Sequence, residues 1–83
     1  MVYKRFIGDT RGWIEIKKNE LEKANFLDSI SSSSYIKGNY VYLDDDLDFS
    51  FFVCLLGYEP DFVNIYVDDT YFNNYKPFKE NLQ

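Results

Sequence analysis

The side chains that could do chemistry in this chain are mainly carboxylates, because the sequence holds no histidine and a single cysteine, Cys54. The absence of histidine removes the commonest general base and metal ligand, and it excludes Ser–His and Cys–His nucleophile systems. No glycine-rich loop followed by Lys-Ser or Lys-Thr is present, so the sequence lacks a nucleotide-phosphate motif. We therefore expect a protein that is not an enzyme and that uses no cofactor.

The densest group of carboxylates consists of Asp44, Asp45, Asp46 and Asp48. An EF-hand calcium loop that began at Asp44 would need glycine at its sixth position and glutamate at its twelfth. The sequence has Phe49 and Leu55 at those positions, which excludes an EF-hand. Three interpretations stay open: a helix cap with additional solvated charge, an acidic patch that faces a partner, and a looser site for Mg²⁺ or Ca²⁺.

The number of carboxylates in this cluster favours the partner-facing interpretation. One aspartate is enough to cap a helix, and several like charges packed together repel one another. Further acidic residues would extend the patch if the last strand lies beside the helix that follows the cluster. These residues are Glu59, Asp61, Asp68 and Asp69.

The charge of the chain is unevenly distributed between its two halves. The net charge is −5, and residues 41–75 contain eight carboxylates but no lysine or arginine. A negative surface repels the phosphates of nucleic acid, so we expect neither nucleic acid nor a membrane as a direct partner. Carboxylates a few ångströms apart can instead imitate the charge spacing of DNA. A basic, nucleic-acid-binding host protein is the partner that such a surface would fit.

Aromatic residues offer a second kind of contact surface. Tyr71, Phe72 and Tyr75 follow the acidic residues near position 68 in a segment with weak structural signals, and tyrosine is enriched where interfaces anchor. We count these three side chains among the candidate partner-binding residues. We expect Trp13 to pack in the interior and Cys54 to be a small buried apolar side chain on a helix.

The size and composition of the chain indicate one domain with a hydrophobic core. Its 83 residues are 46% apolar and 20% aromatic, which rules against intrinsic disorder. One cysteine cannot form an internal disulfide, and neither a signal peptide nor a membrane span is recognisable. The expected location is therefore the cytoplasm.

The first half of the sequence predicts a hairpin followed by a helix. Residues 3–7 and 13–16 have strand patterns, and the turn residues 8–12 separate them. Asn19 is the expected helix N-cap, with Glu22 three residues later in the capping-box position. We expect this helix to extend for two to three turns.

The second half predicts a hairpin, a helix and a strand. The hairpin joins residues 35–36 to residues 40–43 through a Gly-Asn turn, and the aspartate cluster would cap the next helix. Gly57 is the expected C-cap of that helix, and residues 62–67 form the last strand. The expected buried stripe of the helix consists of Leu47, Phe51, Cys54 and Leu55.

This order of elements, ββαββαβ, is typical of an α+β domain. Successive hairpins favour a small antiparallel sheet, and the two short helices would pack on one face of it. We expect residues 1–83 to form a single domain, with residues 68–83 as a loosely ordered tail.

Four short stretches of the sequence form a spaced pattern: residues 12–16, 20–21, 30–35 and 42–48. The pattern resembles that of small uncharacterised proteins carried by phages and plasmids, which show GW(I/L)-x-(I/V), then IS-x-x-SY, then YL(E/D)(E/D)D-x-D. The resemblance covers about residues 12–56, and Leu47 stands where the group often has cysteine. The same region is similar to part of ArdA-type antirestriction proteins, which mimic DNA. The resemblance implies a mobile-element origin and anti-defence work, and it transfers no catalytic residue.

Three functional hypotheses follow. The first is a phage- or mobile-element-encoded inhibitor of a bacterial DNA-targeting defence system, an anti-CRISPR or antirestriction protein whose acidic surface blocks a basic groove. The second is a small non-catalytic protein-interaction module that uses an aromatic surface. The third, a metal-dependent enzyme, requires the carboxylates to bind a hard cation.

Overall fold

The glycine-bounded turn at residues 8–12 joins the first two strands, as the sequence predicts, and Gly8 N–H donates to the carbonyl of Arg11 across it (2.7 Å). A computed structural model describes residues 2–68 and 70–79. Its strands are β1 (Val2–Ile7), β2 (Gly12–Lys17), β3 (Tyr35–Lys37), β4 (Tyr40–Asp44), β5 (Asp61–Tyr66) and β6 (Lys76–Pro77). Its helices are α1 (Lys18–Lys23) and α2 (Asp48–Leu56), with a 3₁₀ turn at Leu27–Ser29.

The six strands form one sheet in the order β5-β1-β2-β4-β3-β6, so the α+β class is confirmed. The sheet differs from the expected one in detail, because it contains a sixth strand and β5 runs parallel to β1. The reason is the position of α2 between β4 and β5. It carries the chain back past β2 and β1 to the opposite edge, where β5 enters in the direction of β4 and β1.

The two faces of the sheet are covered in different ways. Both helices lie on one face, where strand residues such as Ile14 and Leu43 form the main core with Leu21 of α1 and Phe52 of α2. The opposite face carries a smaller aromatic cluster of Phe6, Trp13, Tyr42 and Phe72. The expectation that Trp13 is buried is therefore confirmed.

Helix α1 is shorter than the sequence predicts. It begins at Lys18, directly after β2, and no side chain caps it, so the expected N-cap at Asn19 is wrong. Tertiary contacts replace the cap, because Lys18 N–H donates to the carbonyl of Asn39 (2.8 Å). The helix ends where Asn25 adopts a left-handed φ of 55°, a conformation that asparagine tolerates better than most residues.

Helix α2 packs with a different face from the one expected. The predicted buried stripe is exposed, and the helix instead buries Asp48, Phe49 and Phe52. Helix α2 is apolar on nearly every side, so either of two faces could pack against the sheet. The buried face carries the two large aromatic rings of Phe49 and Phe52, and Asp48 beside them accepts hydrogen bonds from Ser31. The expectation that Cys54 is buried is wrong for the same reason.

The expected end of α2 is confirmed. Gly57 adopts a left-handed φ of 77° there, which a glycine does without steric cost, and its N–H donates to the carbonyl of Val53 (3.0 Å). Among the described residues, no helix is both long and apolar enough to cross a membrane.

Candidate functional site

Asp48, a member of the predicted acidic patch, is buried and organises the loop before β3. Its side chain is 1% exposed. Its Oδ2 accepts hydrogen bonds from Ser31 N–H (3.0 Å), from the Ser31 hydroxyl (2.8 Å) and from the Ser34 hydroxyl. Ser34 Oγ accepts in turn from the backbone N–H of Asp44 (2.8 Å). The expectation that Asp48 faces a partner is therefore wrong, because its oxygens point inward to these donors.

Asp44 is also buried and is paired with a cation. Its Oδ2 lies 2.6 Å from Nη2 of Arg11, whose guanidinium lies over the ring of Trp13 with 4.9 Å to the centroid. Its Oδ1 accepts from the N–H groups of Asp46 (2.9 Å) and Leu47 (3.1 Å). These bonds hold the turn before α2, whose N-cap residue, Leu47, has no side-chain cap. The sequence predicted that the aspartate cluster would cap α2, but Asp44 instead stabilises the turn that precedes the helix. Its side chain does not face a partner.

The other two members of the cluster reach the surface. Asp46 is exposed and Asp45 is half-buried. Burial raises the pKa of the Asp45 carboxyl, and the positive charge of Arg5 opposes that shift. Asp45 and Glu59 line one concavity together with Arg5. The guanidinium of Arg5 offsets part of their negative charge.

The remaining predicted acidic residues lie along the last described part of the chain. Asp61 is exposed at the start of β5, and Asp68 is exposed after its end. Hydrogen bonds from the hydroxyl and N–H of Thr70 lower the pKa of Asp68. Asp69 lies outside the described residues. Among the described residues of the predicted patch, the carboxylates that stay accessible at the surface are Asp45, Asp46, Glu59, Asp61 and Asp68.

The predicted aromatic contact residues mainly cover the sheet. Phe72 is buried, and its ring lies parallel to that of Tyr35 with 5.3 Å between centroids. The expectation that Phe72 contacts a partner directly is therefore wrong. Tyr75 is half-buried with its ring 5.1 Å from that of Tyr42. Of these three residues only Tyr71 is exposed, at 42%, and its ring stacks on that of Phe6. The described part of the expected tail, residues 68 and 70–79, thus includes the residues that close the second cluster.

Two buried tyrosines form hydrogen bonds with glutamates on opposite faces of the sheet. The hydroxyl of Tyr42 donates to Glu15 Oε2 (2.9 Å), and that of Tyr3 donates to Glu20. Burial, reinforced by the neighbouring carboxylate, raises the pKa of each tyrosine well above its ordinary value. Both phenols therefore remain protonated donors at neutral pH and supply no nucleophile or base.

The largest feature that sequence reasoning missed is an exposed apolar face of α2. We define the α2 outer surface as Leu47, Phe51, Cys54, Leu55 and the neighbouring Tyr58, all of which are exposed. Phe51 is 57% exposed and Leu55 is 59% exposed. The signal was present in the sequence, because residues 48–56 hold only two polar residues and so offer more apolar surface than one core contact buries.

The described residues offer no group of side chains suited to bind a metal ion. Within residues 2–68 and 70–79, no three side chains of the Cys, Asp or Glu type come together in a way that could hold an ion. The loose cation site considered for the cluster would have needed Asp44 and Asp48, which are held by Arg11 and by serine donors.

No family model, no curated protein and no solved structure matches this chain.

Proposed function

We propose that this chain is a non-catalytic protein-interaction module that binds its partner through the α2 outer surface. The observation that carries the proposal is the exposure of a second apolar face on a helix whose first face already fills the core. A helix that is apolar on all sides is normally buried on all sides. A bound partner would cover the side that this fold leaves open.

The charges around α2 indicate the chemistry of that partner. Asp46 is exposed just before the helix, and Glu59 is exposed just after it. Residues 41–75 contain no lysine or arginine, and Arg5 offsets part of the charge at the Glu59 end. The fitting partner is a protein with an apolar groove for Phe51 and Leu55 and with basic side chains at its ends. Burial of those two side chains would supply most of the affinity, at about 1.5–3 kcal/mol for each fully buried residue.

A matched pair of substitutions tests the location of the contact. Leu55 and Val2 are equally exposed apolar residues, at 59% each, but only Leu55 belongs to the α2 outer surface. Tagged wild-type chain, Leu55→Lys and Val2→Lys are used to capture proteins from a bacterial lysate. We expect Leu55→Lys to lose the partner and Val2→Lys to keep it. Equal capture by a folded Leu55→Lys variant would contradict the proposal.

A narrower proposal concerns the identity of the basic partner. The acidic residues that remain exposed favour a nucleic-acid-binding effector of a bacterial defence system, which the chain would inhibit in the cytoplasm by occupying its basic groove. The specific observation is that Asp45 lies beside Glu59 and that Asp46 stays exposed, although two of the cluster's carboxylates are buried. This acidic surface is smaller than the sequence indicated, so the apolar contact remains the leading proposal.

Salt and charge reversal distinguish the two proposals. Capture that depends on carboxylates should decline between about 0.1 M and about 0.5 M salt, where screening is severe. The variant Asp46→Lys/Glu59→Lys should also lose it. Capture through the α2 outer surface should weaken much less under both changes, because burial of Phe51 and Leu55 supplies most of its affinity. Undiminished inhibition of restriction or CRISPR interference in cells by the folded charge-reversed variant would exclude the acidic mechanism.

A further inference from the structure

The two edges of the sheet differ in their protection against pairing with another strand. One edge is β6, which has only two residues, Lys76 and Pro77. Short length, a lysine and a proline each discourage a further strand. The opposite edge is β5, which has six residues and contains neither lysine, arginine nor proline. Within residues 2–68 and 70–79, no strand lies beside its outer side.

The hydrogen bonds of β5 show which of its backbone groups point outward. Val67 N–H donates to the carbonyl of Ile7 in β1 (2.9 Å). The backbone N–H and C=O groups of successive residues point to opposite sides of a strand. The odd-numbered residues of β5 therefore direct these groups towards β1. The residues that direct N–H and C=O groups to the open edge are Phe62, Asn64 and Tyr66.

We propose that β5 pairs antiparallel with β5 of a second copy of this chain across a two-fold axis at Asn64. In this register Phe62 faces Tyr66 of the second copy, and Asn64 faces its own equivalent. All three outward-pointing residues then lie in pairs that exchange two backbone hydrogen bonds. Moving the axis to Val63 or Ile65 leaves one outward-pointing residue of β5 without such a pair. The register is therefore set by the strand itself.

The side chains of β5 are complementary to themselves in the same register. On one face Val63, which is 54% exposed, lies opposite Ile65 of the second copy. On the other face Tyr66, which is 76% exposed, lies opposite Phe62. Aromatic and β-branched cross-strand pairs of this kind stabilise sheets. Asp61 faces Val67 of the second copy, so the strand brings no two carboxylates directly together.

The length of the seam sets the expected strength of association. Six residues at about 3.3 Å each form a contact about 20 Å long. Such a contact is at the small end of specific interfaces, so we expect a dissociation constant of about 1–100 μM. Each copy carries a net charge of −5, and added salt should therefore strengthen the dimer by screening the repulsion. Binding of a basic partner would respond to salt in the opposite direction.

Sedimentation velocity of the reduced full chain tests the association. The mass should rise from 9.9 kDa towards twice that value as the concentration increases from about 5 to about 500 μM. Val63→Lys should raise the dissociation constant at least tenfold, whereas Leu55→Lys should leave it unchanged. A wild-type chain that remains monomeric at about 500 μM, or loss of the dimer in Leu55→Lys alone, would overturn the proposal.

Cross-linking tests the register independently of Val63→Lys. In a Cys54→Ser background, Asn64→Cys places the two thiols at the axis, where paired Cα atoms lie about 5.5 Å apart, within the range that a disulfide spans. Tyr66→Cys places them about 14 Å apart in the same register. We expect mild oxidation to link Asn64→Cys at least tenfold faster. Equal rates would exclude this pairing, and because both variants leave the α2 outer surface intact, that result would not affect the proposed function.

Discussion

Asp48 at the start of α2 and Ser31 in the loop before β3 are joined twice, because one carboxylate oxygen accepts from both the N–H and the hydroxyl of the serine at 3.0 and 2.8 Å. The same oxygen accepts from the Ser34 hydroxyl. These bonds connect segments 17 residues apart in sequence, so the carboxylate fixes the loop to the helix. An acidic residue in an acidic cluster thus has a structural role.

Asp48→Asn should destabilise the fold by about 2–3 kcal/mol. Ser31 N–H also faces Oδ1 (3.2 Å), so the amide NH₂ would oppose a donor at either oxygen position. Asp46→Asn removes the same charge from an exposed position and should change stability by less than about 0.5 kcal/mol. Urea unfolding followed by circular dichroism measures both. Similar values for the two variants would show that the buried carboxylate does not carry this role.

The orientation of α2 can be tested with two adjacent phenylalanines. Phe52 is buried in the main core, whereas Phe51 belongs to the exposed α2 outer surface. Phe52→Ala should reduce the free energy of unfolding by about 3–5 kcal/mol. Phe51→Ala should reduce it by less than about 1 kcal/mol. The reverse order in thermal or urea unfolding would mean that the helix packs with its other face.

Residues 70–79 attach to the sheet mainly through Phe72. Its ring centroid lies 4.6 to 5.4 Å from those of Trp13, Tyr35 and Tyr42. Phe72→Ala should therefore cost about 3–5 kcal/mol of stability. Tyr71→Ala, which truncates a more exposed ring in the same segment, should cost less. Calorimetric unfolding measures both variants. A loss below about 1 kcal/mol for Phe72→Ala would indicate that the segment contributes little to folding.

Alkaline pH should destabilise the protein through Tyr3 and Tyr42. Their pKa values are raised in the folded state, mainly by burial, so the folded chain retains protons that the unfolded chain releases above about pH 10. Their contribution to stability is complete below that pH and is lost as the pH rises towards the folded-state pKa values. The melting temperature should fall above about pH 10, and Tyr3→Phe/Tyr42→Phe should flatten this decline. An unchanged slope in the double variant would assign alkaline unfolding to other groups.

Local sequence signals determined most of the secondary structure. Two turns, at residues 8–12 and at Gly38-Asn39, could be predicted from their glycines, and Gly38 adopts a left-handed φ of 61° that most other residue types avoid. The end of α2 at Gly57 follows from the same property. Alternation of apolar residues predicted the strands, and with them the α+β class, because a strand exposes successive side chains to opposite faces.

The candidate site could be predicted only in part, because the use of a carboxylate depends on groups far away in sequence. Asp48 and Asp46 look alike in the acidic cluster, but only Asp48 meets the serines of the 31–34 loop. Asp44 becomes buried because Arg11, 33 residues earlier, pairs with it. Charge density alone could not distinguish these residues from the exposed ones.

The sequence by itself determined that α2 would be a helix with more apolar surface than a small core can bury. Only the tertiary structure decided which side was buried, because the sheet accommodates Phe49 and Phe52 while Asp48 reaches Ser31 from the same side. The sequence likewise predicted β5 as a strand, whereas its place at the sheet edge followed from the path of α2 across the sheet. The physical reason is that helix and strand formation depend on neighbouring residues, but the exposure of each face depends on contacts between distant segments.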